Sequence, residues 1–357
     1  MRYMKVADLT PGMVLARTVI NEDMVVVLSE NTLLTKAHIT RLGFLNIDEV
    51  IIKDEYDLNP NAQAADALLN RATQFATEYK EVVNKAQDIF SQAGKSDTIP
   101  PQKTENIVKQ DLAPMSKQSG AIDYLYDLNQ MSSDAYQHSM RVSILAGVIA
   151  KWLRKSKKET NEIIMAGFLH DIGKTKFPDR LKGKRVENMK GEDFDEYVKH
   201  TTAGQRILAQ TGGIPESIQL AVLQHHECMD GTGFPFGIRG DEIHEYARIL
   251  AVANLYDNLT TEREGAVRQT PFTAIAKITE QMYTKLDPNI CVVMLKQIKN
   301  AFLGSTIVLS NGLTGVIVNY PFDFAEHPLV EVEGGQIIDL NTTKGLKIIE
   351  YNPKPLA

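Results

Sequence analysis

The chain has 357 residues with 39 basic and 45 acidic side chains, for a formal net charge of -6 at pH 7. That balance argues against a nucleic-acid polymer as partner, because such scaffolds are normally basic, although basic residues inside a cleft still attract a small anion. Its two cysteines, Cys228 and Cys291, are far apart and in no metal-binding spacing, which excludes a disulfide framework and fits a reducing compartment. No apolar core follows the basic N-terminal residues, and no apolar run reaches the roughly eighteen residues that read as a bilayer span. The expectation is a cytoplasmic protein with no membrane span, long enough for two or three domains.

Residues 1–55 predict a small β-rich accessory unit. The β-branched runs of TVINEDMVVVLSENTLLT are punctuated by polar turns, and KAHITRLGFLNIDEVII reads as a short helix, stopped at Gly43, that feeds a last strand. Residues 60–95 predict one long amphipathic helix. Its apolar stripe (Leu68, Ala72, Phe75, Tyr79, Val82) must be covered by another domain or another copy. Residues 94–103 form a turn-rich linker. Residues 104–303 are helical almost throughout, with loops at 176–192 and 228–243. Residues 304–352 predict β hairpins, one around Asn311-Gly312 and another around Gly334-Gly335. The fold class expected is mainly α, a helical bundle with small β-rich units at both ends.

Five of the eight histidines fall between residues 138 and 226. His170-Asp171 and His225-His226 are adjacent pairs, and His138 and His200 complete the set. Imidazole and carboxylate suit iron, manganese or zinc, and this many ligands exceed the needs of one tetrahedral ion. They suit two metal ions sharing a bridging carboxylate. His138 lies on the helical face of Val142, Leu145, Ile149 and Trp152, so it is a buried hydrogen-bonded histidine or a ligand. An apolar helix ends at His170-Asp171 and is closed by Gly173. There Asp171 is placed to bridge two cations and Lys174 to approach a bound anion. His200 ends a polar helix, and Pro215 opens the helix leading to His225. His38, His244 and His327 fall outside the set and are expected at the surface. The Lys182–Arg185 run reads as a solvated loop, and Met189 and Met229 as packing residues.

The segments HDIGK, HHECMDGTGFP and ARILAVANLYDNLTTER, with KFPDRL and HTTAGQRIL between them, resemble the HD-GYP branch of the HD-domain metal-dependent phosphohydrolases. The resemblance runs from His138 to Arg263. It implies an all-α bundle with metal at its centre and hydrolysis of cyclic di-GMP to pGpG or GMP by a metal-activated hydroxide. Under it, His138, His170, Asp171, His200, His225 and His226 are metal ligands, and Asp171 bridges two divalent ions, Fe or Mn. Lys174 contacts the scissile phosphate, Phe234 stacks on a base, and Asp257 and Arg263 hold the nucleotide. A third metal is left open, with Asp134 as its ligand.

The sequence departs from the family pattern in places. Gly233-Phe234-Pro235 stands for Gly-Tyr-Pro, which loses a hydroxyl and keeps a ring. Asn254 stands where the family has an Asp ligand, and a neutral amide oxygen binds a hard cation more weakly than a carboxylate. Glu264-Gly265-Ala266 replaces Pro-Tyr-Arg, removing a basic contact for phosphate, and Asp134 replaces a Glu. These departures leave open a degenerate member that binds nucleotide or a protein partner without turnover, and a phosphohydrolase acting on another nucleotide. A homodimer or a signalling partner is likewise open.

Overall fold

The structure is a computed structural model that describes all residues except 1, 21–25, 30–31, 46, 54–59, 129–134, 183, 185, 187–188, 263–267, 321–326 and 353–357. The described residues divide into two compact units, one before residue 72 and one from residue 72 onward.

In the first unit, β1 (Arg2–Lys5) pairs antiparallel with β4 (Glu49–Ile52), and β2 (Val19–Ile20) with β3 (Val26–Leu28). Between them lies α1 (Lys36–Phe44), opened by a capping box in which the Thr35 hydroxyl accepts from the His38 amide and His38 Nδ1 accepts from the Thr35 amide. His38 is therefore a half-buried capping residue and no free surface group. Gly43 lies inside the last turn of α1 and does not stop it. Leu15, Leu34, Leu42 and Ile52 form the buried centre of this unit.

The helix α2 runs over Pro60–Ser96 and crosses from one unit into the other. Within the second unit it buries Phe75, Tyr79, Val82, Ala86, Ile89, Phe90 and Ala93, the apolar stripe anticipated from the sequence. The cover comes from the same chain: Phe75 meets the Tyr124 ring, and Phe90 meets Tyr136 and Phe168 edge-on. The side chains of its first turns lie outside the described residues. The expected linker shrinks to residues 97–100, because α3 (Pro101–Asn106) starts at once with proline in its first turn. A π-helical turn (Ile107–Leu112) then leads into α4 (Ala113–Lys117), where Pro114 lacks the amide a regular turn would use.

The remaining helices are α5 (Ala121–Leu128), α6 (Ala135–Trp152), α7 (Lys157–Leu169), α8 (Glu192–Thr211), α9 (Glu216–Gln224), α10 (Glu245–Thr260), α11 (Pro271–Gln281) and α12 (Pro288–Phe302). A capping box, Ser156 with Glu159, starts α7. His200 lies in the middle of α8 and does not end it: the helix runs eleven residues further, to Thr211. His244 is the half-buried N-cap of α10, accepting from the Tyr246 amide, and His327 is half-buried too. No described helix is long and apolar enough to cross a membrane.

The last segment forms a five-stranded antiparallel sheet in the order β8-β7-β6-β5-β9. Its strands are β5 (Thr306–Leu309), β6 (Thr314–Asn319), β7 (Leu329–Val332), β8 (Ile337–Asp339) and β9 (Ile348–Asn352). Both expected hairpins form, and β9 adds the strand that fixes the sheet to the helices. Tyr351 of β9 is buried among Tyr126, Phe272 and Phe302, and its hydroxyl donates to Asp123 at 2.7 Å. The fold class is thus mainly α, with small antiparallel sheets toward both ends.

Candidate metal centre

Four helices deliver the donors. His138 lies near the start of α6, His170 follows the last residue of α7, His200 sits mid-way along α8, and His225 follows α9. Close packing brings them together. At Gly167 of α7 an added Cβ would stand 2.8 Å from Ser143 Cα of α6, so only glycine lets these helices approach so near. Gly173, expected to close a helix, instead lies in the short 3₁₀ segment Ile172–Lys176 and presses on α8. A Cβ there would fall 1.9 Å from the carbonyl oxygen of His200.

The imidazoles are oriented by a shared device. Nδ1 of His170, His200 and His225 lies 2.8, 2.5 and 2.7 Å from the carbonyl oxygen three residues back, at Gly167, Tyr197 and Val222. His138 Nδ1 instead lies 2.7 Å from Asp257 Oδ2. An acceptor at Nδ1 keeps the proton there and leaves Nε2 as a bare lone pair. All four Nε2 atoms point to Asp171. Those of His138 and His170 are 3.7 and 3.4 Å from Oδ2, and those of His200 and His225 are 3.5 and 3.8 Å from Oδ1. The Nε2 atoms of His200 and His225 are only 3.4 Å apart.

Lone pairs facing a carboxylate and each other repel, and a cation between them removes the conflict. Asp171 Oδ1 and His170 Nε2 are buried without a hydrogen bond among the described residues. Such an orphaned buried group costs about 1–3 kcal/mol unless it is ligated. Two groups of donors satisfy the spacing for an ion, each within 4.8 Å: Asp171 with His200, His225 and His226, and Asp171 with His138 and His170. Asp171 belongs to both, as a bridge between two ions requires. The residues present fit a pair of divalent metals.

The protonation states agree with that fit. Burial holds His225 and His226 well below the usual imidazole range and His200 down at about 3, so these rings stay neutral, the ligating form. Burial works against ionisation of Asp171, but His170 and Lys174 outweigh it and hold the carboxyl well below the usual range. Lys174 Nζ is 2.6 Å from Asp171 Oδ2, and its side chain remains partly exposed beside the Tyr197 ring. It stands at the rim of the cluster, where an anion would meet it.

Phe234 is half-buried, its ring stacked on His226 at 4.5 Å and packed against Leu181, Met189 and Tyr197. The Tyr197 hydroxyl lies 3.4 Å from His226 Nε2. Met189 packs as expected. Lys182 and Lys184 are exposed and paired with Asp179 and Asp193. Asn254 on α10 is buried, and its Oδ1 accepts from Asn258 Nδ2 at 2.8 Å. Asp257, expected to hold the nucleotide, sits in the interior. It is 1% exposed, and its two oxygens are taken by Arg141 and His138. Asp134, Arg263 and the stretch Glu264-Gly265-Ala266 lie outside the described residues.

Three residues of the site escaped sequence reasoning. Arg141 was legible as a lone charge in the apolar run after His138, and Tyr197 as the residue one turn before His200. Glu227 is buried, and its carboxylate accepts from the amide of Phe236 at 2.7 Å, tying down the loop that carries Phe234. Nothing in the pattern marks that contact, because it is made to backbone.

Residues 123–290 match the family profile described as HD domain. The chain is 27% identical over 230 residues to the cyclic di-GMP phosphodiesterase PA4108 of Pseudomonas aeruginosa, covering 64% of this chain and 55% of that one. It is 36% identical over 152 residues to the cyclic di-GMP phosphodiesterase of Thermotoga maritima, 40% of each chain. It is 31% identical over 163 residues to 3'3'-cGAMP-specific phosphodiesterase 3 of Vibrio cholerae, 46% of this chain and 35% of that one. These matches thus span about half or less of the relatives' own lengths. Among solved structures, the fold is similar to that of Bd1817, an HDG"Y"P protein from Bdellovibrio bacteriovorus. The TM-score is 0.54 at 17% identity, over 84% of this chain and 99% of that one.

Proposed function

We propose that this chain, whose residues 123–290 match the HD domain profile, is a member of the HD-GYP branch and a metal-dependent phosphodiesterase that hydrolyses cyclic di-GMP to pGpG or GMP. The observation that carries the reading is the pair of donor groups sharing buried Asp171, with His170 Nε2 and Asp171 Oδ1 left without hydrogen bonds among the described residues. His138 and His170 would hold one divalent ion, His200, His225 and His226 the other, and Asp171 both. Such a pair, when bound, neutralises the nonbridging phosphate oxygens and makes water acidic enough to attack at neutral pH. The protein's own part is positional. The three backbone carbonyls and Asp257 keep the Nε2 lone pairs aimed inward, and burial keeps the rings neutral. Lys174 binds the phosphate at the rim and offsets the charge that develops there. No serine or cysteine nucleophile is needed, and burial pushes the Cys228 thiol up, away from the reactive thiolate.

Phe234 supplies the stacking platform for a guanine. Replacing it with alanine should weaken cyclic di-GMP binding by about 1–3 kcal/mol, the range for base–aromatic stacking, while Phe234→Tyr stays mild. Titration calorimetry reads both; unchanged affinity in the alanine variant would leave the ring a packing residue for His226.

The substrate is tested by offering cyclic di-GMP, 3'3'-cGAMP and linear dinucleotides to the metal-loaded protein. Preference for cyclic di-GMP is expected, and turnover of another nucleotide alone would overturn the assignment. Asn254 favours a second reading, a protein that binds nucleotide without turnover. Asn254→Asp puts a charged oxygen on a nearly isosteric side chain, so metal affinity should rise, and turnover with it if occupancy limits the natural chain. Weaker metal binding in this variant would place Asn254 away from the ions. Tighter binding with turnover absent from both forms would favour the second reading.

A further inference from the structure

One buried chain of side chains runs from the long helix α2 to the metal centre. Tyr79 of α2 donates its hydroxyl to the Gln137 carbonyl at 3.2 Å, and its phenol lies close to the Arg141 guanidinium. The Arg141 guanidinium, 2% exposed, grips Asp257 through Nε to Oδ1 at 2.8 Å and Nη2 to Oδ2 at 3.2 Å. Asp257 in turn meets His138 Nδ1 at 2.7 Å, and His138 Nε2 faces Asp171.

We propose that Asp257, locked by Arg141 and backed by Tyr79, is a positioning residue that fixes His138 as a ligand of one of the two ions. The inference rests on the dinuclear reading and extends it. Of the four metal-centre histidines whose Nδ1 faces an acceptor, His138 faces a carboxylate, and the others face a carbonyl three residues back. A carboxylate fixes the tautomer and makes Nε2 more basic than a carbonyl does. The Asp257 carboxylate would swing or protonate without a counter-charge, and Arg141 supplies a two-point grip. Tyr79 lies behind that guanidinium in the same unit, so the far side of the Arg141 grip is set by α2.

The test is a Mn2+ titration of the full chain, reading stoichiometry and affinity without any turnover assay. Asp257→Asn should weaken one of two Mn2+ ions by about tenfold to a hundredfold, the usual cost of losing such a partner, and leave the other near its natural affinity. In a His138→Ala background the same substitution should change nothing, because its effect passes through that imidazole. Two unaltered affinities in Asp257→Asn, or equal losses with and without His138, would overturn the proposal. If Asp257→Asn does not fold, Arg141→Lys decides: it keeps the charge and loses the two-point grip. One ion should then weaken several-fold, and two unchanged affinities would again overturn the idea. A natural chain that binds no Mn2+ would sink the dinuclear reading itself, a result distinct from either of these.

Discussion

Asp171→Ala and His170→Ala should each yield a folded helical protein that no longer binds metal or hydrolyses phosphodiester. Asp171 is the only described residue common to both donor groups, so its removal takes a ligand from each ion. The fold should survive, because the apolar side chains that pack around this site, Phe168, Leu169 and Ile172, stay buried without the carboxylate. Two-metal clamping contributes several kcal/mol to such reactions, and about 1.4 kcal/mol corresponds to a factor of ten. Turnover should fall about a thousandfold or more, with circular dichroism unchanged. Near-native turnover and metal content in either variant would remove the dinuclear site from consideration.

Gly173→Ala should damage the same site from the outside. The added methyl would sit 1.9 Å from the His200 carbonyl oxygen and 2.7 Å from the Gly204 amide nitrogen, both backbone atoms of α8. No side chain can rotate away, so α8 must move and carry His200 off the position it shares with His225. Overpacking of this kind costs about 1–3 kcal/mol, or a few degrees in melting temperature for a unit of this size, at about 2–4 °C per kcal/mol. Metal affinity should fall as well, which a remote packing defect would not cause. A melting temperature and metal content like those of the natural chain would show that α8 yields without moving His200.

The helical class, the long amphipathic helix and both C-terminal hairpins were legible because periodicity and turn residues report burial directly. Phe75, Tyr79 and Val82 recur on one face and are buried on it. The histidine set was legible because polar side chains at the ends and inner faces of apolar helices require a partner. Interactions made to backbone or between distant segments were not legible. Gly173 looked like a helix stop, yet its missing Cβ is what admits α8 beside it. His200 looked like a helix end because EDFDEYVKH is polar, but the buried face continues through Gly204, Ile207 and Leu208. Asp257 looked available to a ligand, and Arg141, 116 residues earlier, holds it in the interior.

The dinuclear site with phosphodiesterase chemistry is tested most directly by metal analysis and cyclic di-GMP turnover on one anaerobically purified sample of the natural chain, with Asp171→Ala beside it. About two divalent ions per chain and release of pGpG or GMP are expected from the first, and neither from the second. A natural chain that turns over cyclic di-GMP without bound metal, or that binds metal equally well after Asp171→Ala, would contradict the account.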